Sequence, residues 1–229
     1  MKKKTCLPLG IAVVAAAAWL LLRRQSDQPS QFLYTHLAGF YDRLFGATYD
    51  RARRRTVQLL ALKPGERLLI SGAGTGLDLP MIGAGVEVDA VDISPDMLAV
   101  AAAKPAHARV RLTQMDAQNL EFPAQTFDAA LLNLIVSVAP DGRAVFAEAW
   151  RTLKPGGRLV LFDKFLPEGH SAGLMRRLAG AFFNWIGTDI NRRLSDVVGD
   201  LPDGTVELNE ASLFFGQYRI LRIRKTAGL

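Results

Sequence analysis

The stretch Leu69-Ile70-Ser71-Gly72-Ala73-Gly74-Thr75-Gly76-Leu77, with Asp92 at the end of the next apolar run, decides the fold. A leucine-rich run that breaks into three glycines and resumes as a helical pattern reads as a strand, a tight turn and a helix N-terminus. That is the geometry of a nucleotide-binding corner. Glycines let backbone approach a ligand where a Cβ would collide. An acid about twenty residues beyond the first glycine is placed to accept ribose hydroxyls, which makes Asp92 the ribose candidate. A dinucleotide fingerprint, Gly-x-Gly-x-x-Gly, needs its third small residue where Leu77 stands, so a dehydrogenase is disfavoured.

Downstream the pattern continues as alternating strands and helices. Residues 86–91 alternate and lead into Asp92-Ile93-Ser94-Pro95-Asp96-Met97, a strand end and a helix start with Ser94 as N-cap and Pro95 first in the helix. A third strand is expected over 110–113, followed by Gln114-Met115-Asp116-Ala117. Phe127-Asp128-Ala129-Ala130-Leu131-Leu132-Asn133 is nearly continuous in apolar residues, as a parallel strand covered on both faces should be. A helix over 142–153, a turn at Lys154-Pro155-Gly156-Gly157 and a strand over 158–162 complete the order βαβαβαβαβ.

Gly-x-Gly-x-Gly followed by an acid at the next strand end resembles motif I of the class I S-adenosylmethionine (SAM) methyltransferases. The resemblance spans about residues 65–165. It implies an α/β, Rossmann-like fold with a seven-stranded, mostly parallel sheet ending in a C-terminal antiparallel hairpin, for which residues 205–214 and 217–225 supply the strands. It implies SAM as cofactor, held by Gly72, Ala73, Gly74, Thr75, Gly76, Asp92, Ile93, Met97, Asp116 and Ala117, with Asp116 meeting the adenine amino group. One position departs from the pattern. Two residues before the first glycine, where the family carries an acid that helps hold the methionine ammonium, this chain has Ile70. Either a loop acid such as Asp78 or backbone carbonyls replace it, or SAM binds weakly, or the domain has lost catalysis.

The chain has 229 residues and a net charge of +6, with about half of its residues hydrophobic, which suits a single domain with an appendage. One cysteine, Cys6, rules out an internal disulfide framework, and with three scattered histidines, His36, His107 and His170, no metal site is expected. The appendage is N-terminal. Lys2, Lys3 and Lys4 precede an uncharged run over 7–22 that closes at Arg23-Arg24. Sixteen helical residues span roughly 24 Å against a hydrocarbon core of about 30 Å, a gap that snorkelling Lys4 and Arg23 can close. Trp-Leu-Leu-Leu-Arg-Arg is a poor signal-peptidase site, so a retained anchor is favoured over a signal peptide or a buried helix. The expected organisation is an anchor over 1–24, a linker over 25–31 and a catalytic domain over 32–229 with a variable segment at about 166–200. Because SAM is made and used in the cytoplasm, the expected location is the inner membrane, single-pass, with the domain facing the cytoplasm.

Basic clusters at Arg51, Arg53, Arg54 and Arg55, at Arg176 and Arg177, at Arg192 and Arg193, and at Arg219, Arg222, Arg224 and Lys225 are either solvated faces or lipid contacts. No nucleic-acid module is visible. Residues 174–186 form an amphipathic helical pattern suited either to core packing or to the bilayer, and Asp189, Asn191, Arg192 and Arg193 either cap it or meet a headgroup. Phe40-Tyr41-Asp42-Arg43-Leu44-Phe45-Gly46, Leu62-Lys63-Pro64-Gly65 and Ile135-Val136-Ser137-Val138-Ala139-Pro140-Asp141 resemble the bacterial phosphatidylethanolamine N-methyltransferases of the non-integral type, relatives of the ubiquinone/menaquinone C-methyltransferases. That resemblance implies a lipid or lipophilic acceptor, the bilayer as partner and Tyr41 as part of a lid. Catalytic candidates are Tyr41 and Asp163 as proton acceptors or orienters and Asn133 in the same crevice. A quinone-ring C-methyltransferase and a non-catalytic membrane-tethered protein of the same fold are the alternatives.

Overall fold

The computed structural model describes residues 48–166, 189, 191–213 and 216–226. The anchor, the linker, Tyr41, Arg176, Arg177 and the pattern over 174–186 lie outside the described residues, among which no helix is long and apolar enough to cross a membrane.

The described residues form a seven-stranded sheet from β1 (Arg67–Ser71), β2 (Glu87–Asp92), β3 (Arg109–Gln114), β4 (Phe127–Asn133), β5 (Leu153–Lys164), β6 (Gly204–Ala211) and β7 (Tyr218–Lys225), in the order β3-β2-β1-β4-β5-β7-β6. The first five strands run parallel, while β7 pairs antiparallel with both β5 and β6. This is the Rossmann-like sheet with a C-terminal hairpin that the resemblance implies.

Alternate residues of the central strands feed two cores. Leu69, Ala130, Leu132, Leu159 and Leu161 pack with Val145, Phe146, Ala149 and Trp150 of α3 (Gly142–Thr152) on one face. Leu68, Ile70, Ala129, Leu131, Val160 and Phe162 pack with Tyr49, Ala52 and Leu60 of α1 (48–60) on the other. Period-two alternation with apolar residues on both faces is the requirement of a sheet sandwiched by helices. α2 (Pro95–Ala102) starts as its sequence predicts, with Ser94 Oγ accepting from Met97 N and Pro95 in the first turn. A short α4 (Leu194–Val198) packs beside α3.

Three expectations are corrected. The glycine turn is followed not by a helix but by one 3-10 turn, Leu79–Met81. The connection from β1 to β2 is only residues 72–86, the glycine turn consumes its start, and Pro80, Gly83 and Gly85 punctuate the remainder. No helix joins β3 to β4 either, since residues 115–126 are taken up by turns around Asp116 and Pro123. The segment Lys154-Pro155-Gly156-Gly157 lies inside β5 as an irregularity, the pairing with β4 shifting between Phe127↔Leu153 and Ala129↔Arg158.

Candidate active site

Parallel register brings the carboxyl ends of β1, β2, β3 and β4 to one rim: Ser71 pairs with Val91, Asp92 with Gln114, and Ile70 with Leu131 two residues before Asn133. Ligands of open α/β sheets bind outside such ends. The glycine turn is anchored there by Gly72 N and Ala73 N donating to Val91 O at 3.0 and 2.8 Å. Its glycines have different work. A Cβ on Gly72 would lie 2.7 Å from the Ile135 side chain, so this position is closed by the loop after β4. A Cβ on Gly74, with φ +54°, would meet nothing within 4 Å. Gly74 is therefore the glycine whose bare face opens to a ligand.

Asp92 sits against that opening. One carboxylate oxygen accepts from Gly74 N at 2.7 Å and the other from Ser94 N at 3.0 Å. Burial pushes its pKa up, opposed by the backbone N–H groups of Ser94, Gly74 and Ile93. Ile93 beside it is 44% exposed, which leaves apolar surface on the rim. Met97 is buried at the start of α2. Asp116 begins the turn after β3, its carboxylate accepting from Gln118 N at 2.9 Å, and Ala117 packs into the core behind it.

At the end of β4 lies a buried polar cluster that draws on α1. Asp78 accepts from Arg53 Nη1 at 2.7 Å and from Asn133 Nδ2 at 3.0 Å. Asn133 Nδ2 also reaches Thr56 Oγ1 at 3.2 Å. The carboxylate decides which end of the Asn133 amide faces it, because only the N–H end can donate. All four residues are buried, and Arg53 Nε and Asn133 Oδ1 have no hydrogen-bond partner among the described residues.

Asp163 is fully buried. Its carboxylate accepts from Ser137 N at 3.0 Å and Lys164 N at 2.8 Å, and burial pushes its pKa up. As placed, it orders the loop after β4 instead of facing the rim. Arg192 grips the same loop, donating to Val136 O, Ala139 O and Pro140 O, while Asp189 N donates to Ser137 O at 2.7 Å. Among the described residues no group of His, Cys, Asp and Glu is arranged to hold a metal.

A protein-family model described as a methyltransferase domain matches residues 69–161. A phosphatidylethanolamine N-methyltransferase of Cereibacter sphaeroides is 33% identical over 164 residues, 70% of this chain and 80% of that enzyme. The chain belongs to the class I SAM-dependent methyltransferases. A demethylmenaquinone methyltransferase of Thermus thermophilus is 37% identical over 158 residues, covering 64% of this chain and 70% of that one. Among solved structures, geranyl diphosphate methyltransferase in complex with SAM superposes with a TM-score of 0.57 at 16% identity, over 77% of this chain and 85% of that one, a likeness of fold.

SAM is the cofactor of this methyltransferase, and the rim suits it. Gly74 leaves open space, and Asp92 presents a carboxylate beside it. The glycine turn, Asp92 with Ile93, and Asp116 follow the carboxyl ends of β1, β2 and β3, and Asn133 ends β4, whereas Met97 and Ala117 are buried. Tyr41 lies outside the described residues. Arg53 stands in a basic cluster of the sequence, yet it belongs to the inward face of α1. The signal was available, since Tyr49, Ala52, Arg53, Thr56 and Leu60 follow helical spacing. Much of the remaining basic surface is engaged internally: Arg222 and Arg224 by Glu207, Arg55 by Glu210, and Lys225 by the carbonyls of Trp150 and Leu153.

Proposed function

We propose that this methyltransferase is anchored in the cytoplasmic membrane by residues 1–24 and N-methylates the ethanolamine headgroup of phosphatidylethanolamine. The observation that carries the reading is the 33% identity to the Cereibacter sphaeroides enzyme across 80% of that enzyme. The N-terminal apolar run between basic clusters supports it, because the acceptor is a bilayer lipid.

Bound SAM supplies a methyl group already activated on a sulfonium. The residues of the chain orient, exclude water and manage one proton. Asp92 and the glycine turn hold the nucleoside end. Asp163 and Arg192 hold the loop over 134–140, and that loop presses Ile135 against Gly72. The acceptor amine is protonated at neutral pH and must lose its proton before attack. Tyr41 is the proposed proton acceptor; Asp163, with both oxygens occupied by backbone N–H groups, acts through the loop it positions.

A second reading, C-methylation of a quinone precursor, is favoured by the 37% identity to the Thermus thermophilus enzyme. Expression of the full chain in a host lacking phosphatidylcholine, fed with methyl-labelled methionine, separates the two. Mono-, di- or trimethylated phosphatidylethanolamine in the lipid extract is the expected outcome, with the protein sedimenting with membranes. A labelled quinone alongside unchanged phospholipids would transfer the assignment to the second reading.

A further inference from the structure

Position 70 leaves a problem that the tertiary structure answers. Ile70 is 2% exposed and packs in the core, so it offers no polar atom to the methionine end of SAM. Beside it, at the end of the neighbouring strand, stands the Arg53–Asp78–Asn133 cluster, whose members come from α1, the loop just past Gly76 and the last residue of β4.

We propose that this cluster is the seat of the cofactor's amino-acid end, with Asp78 and Asn133 Oδ1 taking the ammonium and Arg53 taking the carboxylate, in place of the acid that position 70 lacks. Three observations point this way. Asn133 Oδ1 is a buried acceptor and Arg53 Nε a buried donor, and neither has a hydrogen-bond partner among the described residues. Buried polar atoms are nearly always satisfied, so an orphaned donor and an orphaned acceptor in one cluster mark the place of a group that supplies both. A zwitterion does so. The Arg53–Asp78 pair, 2.7 Å apart with side chains 11% and 4% exposed, is itself one positive and one negative charge, so a ligand carrying one of each adds no net charge to a desolvated site. Finally, Asp78 follows Gly76 by two residues and Asn133 lies alongside the turn, so the cluster adjoins the backbone that opens at Gly74.

The inference rests on SAM being the cofactor and is independent of which acceptor is methylated. It predicts how binding divides between the two ends of the ligand. S-adenosylhomocysteine carries the amino-acid end, whereas 5′-methylthioadenosine keeps the nucleoside and thioether and lacks it. Calorimetry on the purified full chain should show S-adenosylhomocysteine bound at least tenfold more tightly. Asp78→Asn and Asn133→Leu should each weaken S-adenosylhomocysteine about tenfold or more and leave 5′-methylthioadenosine within twofold, whereas Asp92→Asn should weaken both. Thermal unfolding of each variant identifies any that fails to fold, and the wild-type comparison of the two ligands needs no variant. Equal wild-type affinity for the two ligands, or a parallel loss of both in a folded Asp78 or Asn133 variant, would overturn the assignment. A wild type that binds neither would overturn the cofactor reading itself.

Discussion

Replacing Asp92 by alanine tests the centre of the site. The side chain holds Gly74 N at 2.7 Å and Ser94 N at 3.0 Å, and its remaining lone pairs are those the ribose hydroxyls would use. Hydrogen bonds to a charged group contribute about 1.5–3 kcal/mol. The loss of affinity should therefore be roughly 10- to 150-fold. Titration calorimetry with S-adenosylhomocysteine measures it directly, and the pH dependence checks the cause. Burial raises the Asp92 pKa, so the carboxylate is neutralised at a pH above the ordinary aspartate value of about 3.9. Affinity should fall as pH drops through that raised pKa, and Asp92→Ala should lack this limb. The sign for stability is opposite. With the folded pKa above the unfolded one, the cost of burying the charge is present above the folded pKa and relieved as pH falls toward the unfolded value, so acid loss of binding through Asp92 is not unfolding. Affinity of Asp92→Ala within twofold of wild type at neutral pH would refute the reasoning.

Gly74→Ala, with open space around its Cβ but φ +54°, should cost about 1–2 kcal/mol of stability through backbone strain alone, while S-adenosylhomocysteine affinity falls because the methyl group occupies the approach. Gly72→Ala must also displace Ile135, 2.7 Å away, and should lose roughly a further 1–3 kcal/mol in urea unfolding; equal binding and stability in the two variants would contradict the division of labour. Arg158→Met strips the carbonyls of Leu60 and Ala61 and the Glu66 carboxylate of a buried guanidinium, and should destabilise by about 3–5 kcal/mol in urea unfolding. The Arg158 hydrogen bond holds the Glu66 pKa below the usual glutamate range. Its contribution is present above the unfolded pKa and lost as pH falls through the depressed folded one, so Glu66→Gln should flatten the acid limb of stability.

Local pattern alone carries the strands from β1 to β5, the capped start of α2, the glycine turn and Asp92. These follow from contiguous patterns, apolar runs of strand length and turn residues whose backbone preferences act over a few positions. The expectation of an anchor over residues 1–24 also rests on a contiguous run, and those residues lie outside the described ones. Tertiary structure decided the rest. Arg53 belongs to a basic stretch in sequence and to a buried cluster in space, because α1 turns that side toward Asp78 and Asn133, distant in the chain. Asp163 has the composition of a base and the position of a loop anchor, since β5 carries it into the interior beneath Ser137. Whether a helix could follow the glycine turn depended on the length of chain available between two strands already held in register. Burial, partnership and reach are set by what lies opposite, and the neighbours that lie opposite are chosen by the folded sheet.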